Sequence, residues 1–374
     1  MILTLASHGL NHSRARFLAT LVAVALALML VAIQLGMMAG FERMISGPLD
    51  HSDADLWIVP AGTESFDEAA TLDMSARYEA LRVDGVASVS PVVVGFADWR
   101  GKAAHATTVV VVGADPAGGG PRPWNISPDL LPHQTDDTAI IADMSYAGQL
   151  GIEGGGQLVS IEGKTLRVAA MTTGIRSFTT SPYIFATLTA ARKIMGLSER
   201  HGSYLLVKLA PGSSASAVQA VLKTSLPRIE VLTATEFRWR NLSRWMFETG
   251  AGEVLLAGAV MGFLVGAVII AQTMHTSIRE NKKQLATLRA MGASDMFLAA
   301  TITLHAAITT GVATLIALLA SIALVHIATV ALPISFTVGL GMFVVALACG
   351  MSLLSAAIAY RSIAKTDPAM VLTE

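Results

Sequence analysis

The sequence predicts an α-helical membrane protein: four transmembrane helices, with a large extracytoplasmic α+β domain between helices 1 and 2. Three observations carry that reading. Charged residues make up only 14% of the 374, hydrophobic ones 53%, and mean hydropathy is +0.58, whereas a soluble domain has about 25% charged residues. Charge-free runs long enough to cross a bilayer stand at both ends of the chain. Between them, residues 41–253 hold 18 Lys and Arg, 23 Asp and Glu, and most of the 13 prolines.

Residues 1–16 read as an N-terminal interfacial helix carrying Arg14 and Arg16 and no acid. Transmembrane helix 1 comes next, at 17–40. Phe17 to Ala39 is 23 residues without a charge, about 35 Å of helix, enough to span. A signal peptide has an apolar core of about 7–15 residues, so this longer run is expected to be a retained anchor.

The 41–253 region alternates β-branched runs with helical patterns, as a folded α+β domain does. Strands are expected at Asp55–Val59, Val86–Phe96, Thr107–Gly113, Thr138–Ile141, Gln157–Ile161, Leu166–Met171 and Tyr204–Leu209. Helices are expected at about Ser75–Arg82, Thr187–Met195 and Ser214–Leu226. The glycine- and proline-rich segment 118–123 reads as a joint, making about 124–182 a strand-rich subdomain. Within it, Glu162-Gly163-Lys164-Thr165 invites a nucleotide-binding reading. A phosphate loop needs a glycine five residues before its Gly-Lys-Thr pair, and Leu158 stands there, so a hairpin turn is expected instead.

Transmembrane helix 2 is expected at 254–275, then a charged helix at 276–293. Ile278, Leu285 and Leu288 form one stripe of that helix, while Arg279, Lys282, Lys283 and Arg289 cluster on another face. Gly292 ends it. From the residues alone, a helix lying along the inner membrane surface and a solvated loop helix fit equally. Met296 to Tyr360 then runs 65 residues without Asp, Glu, Lys or Arg. It fits transmembrane helices 3 (296–326) and 4 (336–360), broken near Pro333, with a tail at 361–374. The segments outside the spans and the domain carry eight basic and four acidic residues, against a net −5 for the domain. The positive-inside rule therefore places both termini and the charged helix in the cytoplasm of a multi-pass inner-membrane protein.

Gly258, Gly262 and Gly266 repeat every fourth residue in helix 2, as Ala19, Ala23 and Ala27 do in helix 1. Such ladders let helix backbones approach closely, within a chain or between two copies, although small residues are also common in membrane helices. Gln34 and Gln272 are expected to hydrogen-bond between helices. His305 and His326 have no acidic neighbours in their spans and read as buried and neutral rather than as a proton relay. The chain has no His-Glu-x-x-His and no Gly-x-Ser-x-Gly. Its extracytoplasmic histidines (His51, His105, His133, His201) are scattered, and its single cysteine, Cys349, lies in an apolar run. No catalytic residue, metal, cofactor or nucleic-acid partner is expected.

This layout resembles the permease subunits of type VII ABC systems, the superfamily of MacB, LolC/LolE and FtsX, and within it most closely the DevC group of exporter permeases. Ile33-Gln34-Leu35-Gly36 resembles that group's first span, and Asp53-Ala54-Asp55-Leu56-Trp57-Ile58 the start of its outside domain. Residues 174–185 resemble its Gly-x-x-Ser-Phe segment, 261–272 its second span, 284–292 its coupling helix, and Asp367-Pro368-Ala369 its C-terminus. Gln284 departs from the family's common Glu, and the final Val-Leu-Thr-Glu lacks its usual Arg.

The resemblance implies a MacB-like periplasmic core domain and a transport subunit rather than an enzyme. ATP and Mg²⁺ would sit on a separate ABC ATPase. That ATPase would dock through Arg279, Glu280, Lys283, Gln284, Leu285, Thr287, Leu288, Arg289, Met291 and Gly292. Two copies would pair as a homodimer, working by mechanotransmission through an HlyD-type periplasmic adaptor and outer-membrane channel to export a hydrophobic or lipid-like substrate. The alternative is an FtsX-like signalling subunit that regulates an envelope hydrolase.

Overall fold

The computed structural model describes residues 14–101, 106–126, 136–226, 229–280, 295–328 and 333–364. The chain divides into two compact units, one of residues 1–40 with 252–374 and one of residues 41–251.

The first unit is helical. α1 (Arg14–Asp50) enters it from the N-terminal side, and α7 (Ala251–Glu280), α8 (Asp295–Ala328) and α9 (Val338–Ala364) complete it. Among the described residues these are the four helices long and apolar enough to cross a membrane. They expose Leu18, Val22, Leu26, Val260, Leu264, Leu319 and Leu354 outward, while Leu21, Val24, Leu28, Ile270, Ala313 and Met351 fill the interior. A leucine-covered outside is what hydrocarbon accepts and water does not.

α1 does not stop at Gly40 but runs 37 residues to Asp50, about 55 Å of helix against a hydrocarbon core of about 30 Å. The apolar pattern alone ends it early, because Glu42, Arg43 and Pro48 lie beyond the charge-free run.

The second unit is a nine-stranded sheet with flanking helices. In chain order its elements are β1 (Leu56–Pro60), β2 (Leu72–Asp73), α2 (Ala76–Ala80), β3 (Val86–Arg100), β4 (Thr107–Ala114), β5 (Ala139–Asp143), α3 (Ala147–Leu150), β6 (Leu158–Ile161) and β7 (Lys164–Thr172). After these come β8 (Tyr183–Ala186), α4 (Leu188–Met195), β9 (His201–Gly202), β10 (Tyr204–Leu209), α5 (Ala215–Ser225), β11 (Ile229–Thr233) and α6 (Ala234–Ser243). The sheet order is β11-β1-β10-β3-β4-β8-β5-β7-β6, while β2 and β9 form a separate pair. Long β3 also pairs β6 at Trp99↔Ile161 and Arg100↔Ser160, so the last six strands close into a ring. The strands of the 124–182 stretch, β5, β6 and β7, pair within the sheet that β3, β4 and β8 continue.

Local chemistry sets the element ends. Glu162 and Gly163 take φ of 49° and 72° between β6 and β7, the left-handed pair of a two-residue hairpin. Of the Gly-Lys-Thr stretch, Gly163 lies in the turn and Lys164 and Thr165 open β7, with Lys164 Nζ donating to the Ile194 carbonyl at 3.1 Å. Thr187 caps α4 through the Ala190 amide, and Thr233 with Glu236 forms a capping box on α6. The ring's apolar residues, among them Trp99, Val109, Val111, Ile140, Ile161 and Val168, pack with Ala191 and Ile194 of α4. Gly95 and Gly113 let α4 come close: a Cβ on the first would meet the Met195 side chain, one on the second Ala191. A second cluster gathers Trp57, Phe66, Val94, Tyr183, Tyr204 and Phe237 with Leu49 of α1.

Candidate functional site

The glycine ladder on α7 faces α1 of the same chain. A Cβ on Gly258 would stand 2.7 Å from Gln34 Nε2; one on Gly262 would stand 2.9 Å from Val31 Cγ2 and 3.2 Å from the Ala27 carbonyl oxygen. A Cβ on Gly266 would meet Met351 and Ala27. The ladder is therefore already filled within one copy, by the helix that carries the alanine ladder. That partner is not legible in the sequence, because a small-residue repeat states closeness and not against what.

Gln34 Oε1 is buried without a hydrogen-bond partner among the described residues, and Gln272 is exposed. Polar links between the helices run instead through Thr20 Oγ1 and Thr273 Oγ1 at 3.2 Å, and from Ser355 Oγ to the Ala267 carbonyl at 2.9 Å. His326 is exposed, not buried, with Nδ1 3.0 Å from the Ile322 carbonyl; the side chain of His305 lies outside the described residues. A further close approach joins α1 to the segment between α8 and α9. Ser335 N donates to the Gly36 carbonyl at 2.9 Å, and a Cβ on Gly40 would run into the Pro333 carbonyl. Gly36 and Gly40, four apart, are the sequence signal for it.

α7 remains helical through Arg279 and Glu280. Their side chains, and Lys283, Gln284, Leu285, Thr287, Leu288, Arg289, Met291 and Gly292 entirely, lie outside the described residues.

In the α+β unit, the last turns of α1 are held from several sides. Asn241 Nδ2 donates to the Ile45 carbonyl at 2.8 Å, and Asn241 Oδ1 accepts from Phe66 N at 3.0 Å. Arg238 pairs Glu42 at 2.9 Å and Asp50 at 3.0 Å. Burial works against the guanidinium's charge, but the two carboxylates outweigh it and raise its pKa. Trp124 lies against Gly47 and stacks on His51 at 4.1 Å between ring centres. Phe41 meets Phe178 edge-on, and Phe178 in turn meets Trp245. After α6 the chain makes a π-helical turn, Arg244–Glu248, a form that often marks functional segments. Arg244 there faces Glu64, Glu68 and Glu248.

Phe178 sits in the 174–185 segment, which several buried groups shape. The Asp143 carboxylate accepts from Ser145 N, Gly174 N, Ile175 N and Thr172 Oγ1, fixing the turn out of β7. Tyr146 Oη accepts from Ser177 N at 3.0 Å. Asp67, 5% exposed, accepts from Tyr183 Oη at 2.8 Å. Burial pushes its carboxyl up to about 6, opposed by the Tyr183 hydrogen bond and reinforced by Glu68. Among the described residues no group of three His, Cys, Asp or Glu could hold a metal.

Two family models match the chain, one after the other. Residues 17–225 match the family model of the MacB-like periplasmic core domain, and residues 256–368 that of the FtsX-like permease C-terminal region. Among solved structures, the periplasmic region of MacB from Actinobacillus actinomycetemcomitans is 9% identical with a TM-score of 0.36, over 53% of this chain and 96% of that one. The extracellular domain of the ABC-type transporter YknZ from Gram-positive bacteria is 14% identical with a TM-score of 0.34, over 48% and 99%. A permease domain from Porphyromonas gingivalis is 12% identical with a TM-score of 0.31, over 48% and 89%. No curated protein matches the chain.

Proposed function

The chain belongs to the FtsX- and MacB-like ABC transporter permeases, multi-pass membrane subunits that work with an ABC ATPase, and from that premise we propose that it drives export by moving its α+β unit. In this reading the ATPase docks on residues 276–293, and its nucleotide cycle shifts the helices. α1 passes the movement on, and the α+β unit works a hydrophobic or lipid-like substrate toward an HlyD-type adaptor and an outer-membrane channel. Two copies act together in the inner membrane. Both termini and residues 276–293 are cytoplasmic, in keeping with the charge distribution.

The observation that supports the reading is α1 itself. It is continuous past Gly40, and Arg238, Asn241 and Trp124 grip its final turns. A rigid rod held at one end transmits displacement; a helix ending in a free loop does not. The test is purification of the full-length chain from its host membrane: an ABC ATPase should co-purify, and its turnover should depend on the chain. Failure to retain any ATPase would remove the basis of the export reading. Orientation is tested separately in a Cys349→Ser background. Ala61→Cys, on an exposed turn, should react with an impermeant thiol reagent applied from outside, and Asn281→Cys should not. The reverse pattern would invert the topology.

A further inference from the structure

Three aromatic rings of the α+β unit gather where its chain meets the membrane helices. Phe178 lies edge-on to Phe41 at 5.1 Å between ring centres and meets Trp245 at 5.5 Å. Phe247, two residues beyond Trp245, is 48% exposed. Phe41 is two residues past Ala39, where the charge-free run of α1 ends, and Phe247 is four residues before Ala251, where α7 begins. Four residues of chain reach at most about 14 Å, so covalent linkage alone keeps both ends of the group near the bilayer surface.

Contacts inside the unit set the level of the rest. Asn241 bonds to Ile45 of α1, while Trp245, four residues on, shares Phe178 with Phe41, four residues back. α6 and its π-helical extension therefore run antiparallel to the end of α1, and the chain descends toward the membrane as it nears α7. Trp239, 60% exposed, stands six residues or about 9 Å higher than Trp245, whereas a headgroup layer is only about 5–8 Å deep. A fixed turn delivers Phe178 to the lower level. Ser177 N donates to Tyr146 Oη at 3.0 Å, Thr179 N to Ser177 Oγ at 3.2 Å, and Thr180 takes φ of 62°, which a β-branched residue rarely adopts. The ring that this strained turn presents belongs to none of the unit's apolar clusters. The nearby acids are matched, Glu42 by Arg238 and Glu248 by Arg244, whereas Arg43 is exposed and makes no ion pair among the described residues. A cation beside half-exposed rings suits a layer of lipid phosphates and esters, where aromatic side chains collect. We propose that Phe178, Trp245 and Phe247 seat the α+β unit on the bilayer, their rings in the headgroup layer of the leaflet that α1 and α7 leave, while Trp239 stays in water. This rests on α1 and α7 crossing a membrane and not on the direction of transport.

The test uses the full-length chain in liposomes whose phosphatidylcholine carries bromine either near the head of its acyl chains or at their ends. Bromine near the head should quench part of the tryptophan fluorescence, and bromine at the chain ends much less. Trp245→Phe should remove most of that quenching and Trp239→Phe almost none, since Trp57 and Trp99 are buried and Trp124 packs on Gly47. Iodide in the water should quench Trp239 instead. A second measurement needs no tryptophan: p-benzoylphenylalanine in place of Phe178 or of the exposed Phe247 should capture lipid on irradiation, and in place of Trp239 should not. No quenching of wild type by bromine near the head, or quenching that survives Trp245→Phe, would overturn the proposal. So would adducts at 178 and 247 with protein rather than lipid, which would put a second copy or another chain on these rings.

Discussion

Asn241 bridges two parts of the α+β unit almost 200 residues apart in sequence: its amide nitrogen donates to Ile45 of α1 and its amide oxygen accepts from Phe66 N. Asn241 is 2% exposed, so both bonds are made away from water. Replacing it with Leu leaves the Phe66 amide buried and unpaired, at about 1–3 kcal/mol. The expected result is earlier protease cleavage in the α+β unit of the membrane-embedded protein, with α1 losing hydrogen-exchange protection around Ile45. Unchanged protection at Ile45 would show that Arg238 and Trp124 hold the helix without it.

The second expectation comes from where the glycine ladder points. Gly262 faces Val31 and the Ala27 backbone of its own chain, so Gly262→Leu forces α7 away from α1. Overpacking of this kind costs about 1–3 kcal/mol, and even Gly262→Ala is tight. Thermal stability in detergent should fall while the oligomeric state stays that of wild type. Dissociation of copies at unchanged thermal stability would return the ladder to an interface between chains.

Much of this architecture can be read in the residues themselves. Apolar runs uninterrupted by charge mark the spans, and alternating β-branched residues mark seven strands, although β3 runs on to Arg100. Those signals are local. The features that stay hidden depend on distant partners. β8 is only four residues long and is a strand because it lies between β4 and β5. The extension of α1 through Pro48 rests on Arg238 and Asn241, and no pattern in residues 41–50 announces them. Gly258, Gly262 and Gly266 are legible as a close-packing device, yet only the structure supplies α1 as the surface they meet.

A pH dependence is expected from Asp67. Its carboxyl is raised from 3.8 to about 6 in the folded protein, chiefly by burial, so the native state binds the proton more tightly than the unfolded chain. The associated stability is complete below about pH 4 and is lost as pH rises through 6. About two units correspond to about 3 kcal/mol. Asp67→Asn keeps an acceptor for Tyr183 and cannot ionise. The difference between wild type and this variant in exchange protection of β8 amides should therefore move against wild type by about that amount between pH 4 and pH 7. Parallel profiles for the two proteins would refute the assignment.

The last expectation concerns the segment on which the ATPase is proposed to dock. If residues 276–293 are helical, Leu285 and Leu288 would share a stripe with Ile278, and a groove in the partner that receives this stripe would exclude water from it. Leu288→Asp then places an unpaired carboxylate in the contact, at a cost of several kcal/mol. A micromolar contact is worth only about 8 kcal/mol in total, so the substitution removes much of the binding. Lys283→Ala is the comparison: a surface cation meeting ATPase acids or anionic lipid would contribute about 1 kcal/mol or less. Co-purification of the ATPase and its turnover should therefore collapse in Leu288→Asp and change little in Lys283→Ala. Equal loss in both variants would assign the contact to charge rather than to the apolar stripe. Full retention in Leu288→Asp would mean that this segment does not carry the coupling.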